Sequence, residues 1–219
     1  MTTLRGMTFK PKTIVAVALG VLGLRVLVGI LLEYRRYFPP DFEAAFLEGR
    51  RATFTATYAA AFYTHILSGP PALVLAAFLL WSGGDGRWRN WHRWAGRILG
   101  VLIFGAVLPG GLLMALQAFG GPAAGVGFAA LAVATGICAA AAIHHARRDR
   151  FAAHQRWAQR CFLLLASPLI LRLVSGVLIV TNTESLTAYC WNAWLSWLLP
   201  LAIYEVSIRS PMYSSHAVR

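Results

Sequence analysis

Apolar residues along this chain do not follow the periodicity of a soluble amphipathic helix or of a half-buried strand. They gather into runs over residues 13–32, 57–81, 95–119, 123–144, 158–181 and 188–208. Each run is near twenty residues, which at about 1.5 Å per helical residue crosses a hydrocarbon core about 30 Å thick. The pattern predicts an all-α polytopic membrane protein with six transmembrane helices in one bundle. Connections this short leave no room for a second, soluble domain, so residues 1–219 read as one domain. Arg25 interrupts the first run and no small-x-small site follows it before Glu33, so that run is expected to be a retained helix rather than a cleaved leader. Breakers inside the runs, at Pro70-Pro71, Pro109-Gly110-Gly111, Pro168 and Pro200, predict local kinks.

Composition supports the same class, at 58% hydrophobic and 13% charged. The formal charge of +12 would suit nucleic acid if it lay along a soluble face, but it is concentrated in particular connections. Arg5, Lys10 and Lys12 precede the first run; Arg87, Arg89, Arg93 and Arg97 join the second to the third; Arg147, Arg148, Arg150, Arg156 and Arg160 join the fourth to the fifth. The alternate connections carry no such excess: 118–125 is uncharged and 182–186 holds only Glu184. By the positive-inside rule the basic side is cytoplasmic, which puts both termini there and the chain in a bacterial inner membrane, bathed by lipid and binding no nucleic acid. Cys138, Cys161 and Cys190 stand singly within runs, so neither a disulfide framework nor covalent haem attachment is expected.

Two runs open with one signature. Trp91-His92-Arg93-Trp94-Ala95-Gly96-Arg97 leads the third and His154-Gln155-Arg156-Trp157-Ala158-Gln159-Arg160 the fifth, sharing Arg-Trp-Ala-x-Arg. The recurrence fits a duplicated helix pair, and it equally fits independent selection by the membrane interface. His92, Arg93, Arg97, His144, His154, Trp157 and Arg160 would form a cluster on the cytoplasmic side. It could hold metal or haem, with His144 facing His92 or His154, or anchor lipid phosphates.

Three ionisable side chains share a deeper layer. Arg25 and Arg172 lie about 18 and about 21 Å from the cytoplasmic edge, and His65, entering from the other side, about 18 Å from it. No carboxylate shares that layer, because Glu33 and Glu184 lie near one surface and Glu205 near the other. An external anion held by Arg25 and Arg172 would satisfy both guanidinium groups: a haem propionate, a lipid phosphate or a carboxylate ligand. Snorkelling to headgroups is the alternative. His65 is a candidate metal or axial haem ligand, or else a histidine bonded to Tyr63 or Thr64. There is no Walker loop, Rossmann glycine pattern, HExxH or Gly-x-Ser-x-Gly, and no acidic pair in the runs, which argues against an enzyme.

Together, His65-x-x-x-Gly69, the His92-Arg93-Trp94-x-Gly96-Arg97 string and the His154-x-Arg156-Trp157-x-x-Arg160 string with Arg172 resemble the bacterial membrane proteins grouped as domain of unknown function 2306, over about 57–172. Ala158 departs from the methionine that the resemblance implies after Trp157. The resemblance implies a multi-span membrane protein and brings no activity. Two function classes stand on the residues. The first is a bundle binding an anionic cofactor or small ligand through Arg25, His65 and Arg172, most concretely a b-type haem carrying electrons. The second is a non-catalytic accessory subunit, or a homo-oligomer, whose arginines pair with a partner chain; a small-molecule or lipid transporter is a further alternative.

Overall fold

A computed structural model describes residues 11–44, 46–84 and 86–209. Arg5, Lys10, His216 and the two termini assigned to the cytoplasm lie outside the described residues. The described chain is helical, without a strand, and divides into two compact units, residues 1–49 and 50–219.

The first unit contains α1 (Pro11–Glu33), which runs into a 3₁₀ turn at Tyr34–Arg36. The α1 helix is apolar on every side, and Val17, Leu19, Val21 and Leu24 are all about three-fifths exposed, which is the profile of a helix solvated by lipid rather than by water. The turn after it is pinned by an Arg36–Asp41 ion pair of 2.7 Å. The Glu43 backbone N–H, donating to Asp41, and the Arg36 guanidinium hold the Asp41 carboxyl below the usual carboxylate range.

The second unit contains α2 (Ala56–Ser82), α3 (Arg89–Leu102), α4 (Leu108–Ala115), α5 (Gly121–Arg147), α6 (Phe151–Val180) and α7 (Leu186–Arg209). A π turn, Ile103–Val107, joins α3 to α4, so the two form one continuous but widened helix. The turn sits immediately before Pro109, whose missing N–H already interrupts the ladder there. The helices outrun the apolar runs at the end where α3 and α6 begin: the cationic and aromatic strings are the first turns of these helices, because arginine and tryptophan continue a helix into the interface without leaving backbone groups bare in lipid.

The core is built from Ala72, Leu73 and Ala76 of α2, Ile103 and Val107 of the π turn, Cys138 and Ala139 of α5, Cys161, Leu164 and Leu165 of α6, and Trp197 of α7. The α5 helix packs between α4, α6 and α7, while α6 also touches α2. Alanine and glycine dominate the inner face of α5, which lets neighbouring backbones come close where lipid supplies no hydrophobic squeeze.

Among the described residues, five helices are long and apolar enough to cross a membrane, so the chain is a membrane protein. They are 13–36, 56–82, 86–115, 121–147 and 151–180. The sixth run corresponds to α7, whose 24 residues span comparable length but carry Trp191, Trp194, Trp197, Asn192 and Ser196 in place of aliphatic groups. These polar positions join α7 to its neighbours. Asn192 donates to the Leu171 carbonyl at 3.0 Å and lies 3.1 Å from Ser175 Oγ, and Trp194 Nε1 donates to the Ala123 carbonyl at 3.0 Å.

The strongest tie between α6 and α7 is ionic. Both nitrogens of the Arg160 fork reach Glu205, Nε at 2.5 Å and Nη2 at 3.0 Å, and the guanidinium lies over the Trp157 ring at 4.7 Å. Charge-assisted bonds of this kind are worth about 1.5–3 kcal/mol each when shielded from water. A double-mutant cycle with Arg160→Ala and Glu205→Ala, followed by thermal unfolding in detergent, should therefore give a coupling energy of about 1.5–3 kcal/mol. A coupling near zero would reduce the pair to a surface contact.

Candidate functional site

Five of the six histidines of the chain fall in the described residues, and the structure sorts them into three situations. His92, in the first turn of α3, and His154, in the first turn of α6, come together with ring centroids 6.3 Å apart and planes at 71°. Each is anchored through Nδ1 to the closing turns of the helix before its own. His92 Nδ1 lies 3.0 Å from the hydroxyl of buried Ser82, the last residue of α2. His154 Nδ1 lies 2.9 Å from the Ala142 carbonyl near the end of α5. The two helix pairs are thus built alike at this point, as their shared string suggests.

The carbonyl partner decides the chemistry of His154. A carbonyl oxygen only accepts, so Nδ1 carries the proton and the neutral ring keeps its lone pair on Nε2, the form that binds metals. Among the described residues neither His92 nor His154 makes a hydrogen bond through Nε2. The helices that carry them are not packed on one another: α3 lies on α2, and α6 lies on α5, α7 and α2. The two rings approach each other where α3 and α6 begin.

His144, expected to face His92 or His154, instead stacks edge-on against its neighbour His145 at 5.4 Å. Consecutive helical positions point about 100° apart, and the two differ in setting: His144 is exposed, whereas His145 is half-buried with its Nδ1 shielded from solvent and without a hydrogen bond. Arg93 and Arg97 are exposed on α3, with Arg97 over the Trp94 ring at 5.1 Å. Arg160 is engaged by Glu205 of α7 and lies over the Trp157 ring, so within the predicted interfacial cluster Arg160 holds two helices together.

His65, at mid-depth on α2, bonds neither Tyr63 nor Thr64. Its Nδ1 donates to the Val107 carbonyl, 3.0 Å away in the π turn. The wider turn offers that carbonyl sideways to α2, and the glycines that follow make room: a Cβ at Gly110 would lie 3.0 Å from the Ala61 carbonyl oxygen and 3.0 Å from His65 Cβ, and one at Gly111 would lie 3.2 Å from His65 Cε1. Pro109-Gly110-Gly111, read from sequence as a kink, is therefore the seat of an imidazole. His65 ends with an oriented Nε2, and no group of three or more His, Cys, Asp or Glu side chains among the described residues could hold a metal ion.

Arg172 is exposed on α6 and shares no hydrogen bond with His65. Arg25 belongs to the first unit, where it too is exposed, on α1. A guanidinium missed by sequence reasoning is Arg50. It is buried, and Nη1 donates to Tyr58 Oη at 3.0 Å and to the Gln117 carbonyl at 2.6 Å. It ties the start of α2 to the turn after α4, at the end opposite the histidine pair. Ser82 and Glu205 were likewise unassigned in the sequence.

Residues 62–208 match the model of the family described as predicted membrane protein (DUF2306). The chain belongs to that family. No curated protein and no solved structure matches it.

The seating of His65 gives a direct stability expectation. Forcing a methyl group into the Gly110 contact costs about 1–3 kcal/mol by overpacking, so Gly110→Ala should lower the detergent melting temperature. Gly176→Ala, where nothing lies within 4 Å, should leave it unchanged or raise it slightly. Equal melting temperatures for Gly110→Ala and the wild type would show that His65 is not held against α4.

Proposed function

We propose that the protein is a six-span protein of the bacterial inner membrane, with both termini in the cytoplasm, whose bundle holds a transition-metal centre between the first turns of α3 and α6. The observation that carries this reading is the His92–His154 pair, 6.3 Å apart with Nδ1 of each already engaged. A linear N–metal–N arrangement with bonds of about 2.0–2.1 Å and two ring radii spans about 6 Å between ring centroids, which the 6.3 Å separation matches. A second hydrogen bond on the far nitrogen is the outer-shell arrangement that fixes ring orientation and strengthens a ligating imidazole. The arginines around the same helix ends favour a centre or ligand of net negative charge.

Metal content of the protein purified in detergent tests the reading. About one transition-metal ion per chain is expected in the wild type, with at least a tenfold loss in both His92→Ala and His154→Ala. Metal-free wild-type protein from metal-replete cells would end it.

The orientation rests on the arginine-rich 87–97 and 147–160 segments against the nearly uncharged 118–125 and 182–186. A cysteine introduced at Asp149 should react with a membrane-impermeant thiol reagent only from the cytoplasmic side, and one at Thr183 only from the opposite side. Labelling of both from one side would show that α6, the helix between them, does not cross the membrane.

The accessory-subunit reading draws on α1. Arg25 stands exposed in the middle of an apolar helix and has no partner among the described residues, which suits pairing with an acidic group on a membrane partner or on a second copy. Under this reading Arg25→Leu would release a co-purifying chain while leaving metal content untouched.

A further inference from the structure

We infer that the centre held by His92 and His154 is a haem of the non-covalent, b type, with these two imidazoles as its axial ligands. The inference rests on the metal-centre reading and narrows it by counting donors. A bare divalent ion in a structural protein site takes four protein ligands, and a catalytic one three plus water. Here two imidazoles approach each other, and no third His, Cys, Asp or Glu among the described residues joins them. A metal that arrives with four equatorial nitrogens of its own needs two axial donors and no more, which is what a porphyrin iron requires of a protein.

Three further features suit a flat macrocycle with two carboxylates. The main packing of α3 is on α2 and that of α6 on α5, α7 and α2, so a plate between the two histidines does not have to part either helix from its main packing partners. Both rings are held by Nδ1, His154 through a carbonyl that leaves Nε2 unprotonated, so the ligand positions are set by the fold and not by the metal. Arg93, Arg97 and Arg156 are exposed within a turn or two of the histidines on the same helices, and exposed guanidinium groups are suited to binding propionates. Glu205 is already engaged by Arg160. Attachment is non-covalent because Cys138 and Cys161 are buried in the apolar core and Cys190 lies 3.4 Å from the Gly120 carbonyl at the opposite end.

The test uses the full chain purified in mild detergent from haem-replete cells. Total metal is measured beside haem b by pyridine extraction, and the ferric spectrum is read for the low-spin signature of two imidazole ligands. One haem b per chain with that signature is expected, falling at least tenfold in His154→Ala. His92→Gly should behave likewise and recover haem when free imidazole is added, a rescue that separates loss of a ligand from loss of the fold. A stoichiometric metal without porphyrin would overturn haem and leave the metal-centre reading standing. Wild-type protein with no metal would overturn both. Haem b that lacks the bis-imidazole signature, or that is retained in both variants at wild-type occupancy, would overturn the ligand assignment.

Discussion

An imidazole has two nitrogens, and committing one of them to the backbone decides what the other can do. In this bundle the commitment is made repeatedly and in the same way. His65 gives Nδ1 to the Val107 carbonyl and His154 gives it to the Ala142 carbonyl, while His92 spends it on the Ser82 hydroxyl. None of these partners sits on the helix of its histidine, so each bond ties two elements together and leaves Nε2 facing outward from the anchored edge. In a medium that offers no water, such bonds orient side chains and satisfy polar atoms that would otherwise carry a desolvation cost of a few kcal/mol. The site and the packing therefore depend on one set of contacts.

The same rule governs the rest of the polar inventory. Asn192, Trp194 and Arg160 each reach across to a neighbouring helix, and Arg50 reaches from a loop to a tyrosine hydroxyl and a turn carbonyl. Where lipid already solvates apolar surface as well as leucine does, helix association cannot rely on hydrophobic burial; close approach at small residues and cross-helix hydrogen bonds take its place. The α5 helix, rich in alanine and glycine on its buried side, supplies the close approach. The polar residues of α7 supply much of the bonding, and they are also what makes α7 less apolar than the other long helices.

The class, the helical runs and the two cationic strings were legible in the sequence because each depends on local composition. The pairing of His92 with His154 was only partly legible. The strings marked both residues, but the pairing expected was His144 with His92 or His154, whereas His144 is exposed on α5 beside His145 and the two string histidines meet each other. The partner of His65 was not legible, because it is a carbonyl that becomes available only where a helix widens into a π turn, and no side-chain identity announces that. Pro109-Gly110-Gly111 carried a trace of it, since two glycines after a proline mark a place where something else needs the space. Arg160 and Glu205 are 45 positions apart, and Arg50 looked like any loop arginine. Such contacts follow from which helices adjoin, a property of the assembled bundle and not of any segment.

The two mid-span arginines and the histidine pair separate along the same line. Depth alone grouped Arg25, His65 and Arg172, because a shared layer was the one coordinate the sequence supplied. Depth fixes a position along the membrane normal and says nothing of the direction around a helix. Arg172 is exposed on α6 whereas His65 bonds the Val107 carbonyl of the π turn, so sharing a layer did not join the two. The interfacial strings were more informative because they combined depth with repetition: two helices that open with the same residues, each following a helix to which it can tie its histidine, present those histidines alike. Placed in one bundle they meet, and a ligand that needs two similar donors from opposite sides suits them better than one that needs a cluster.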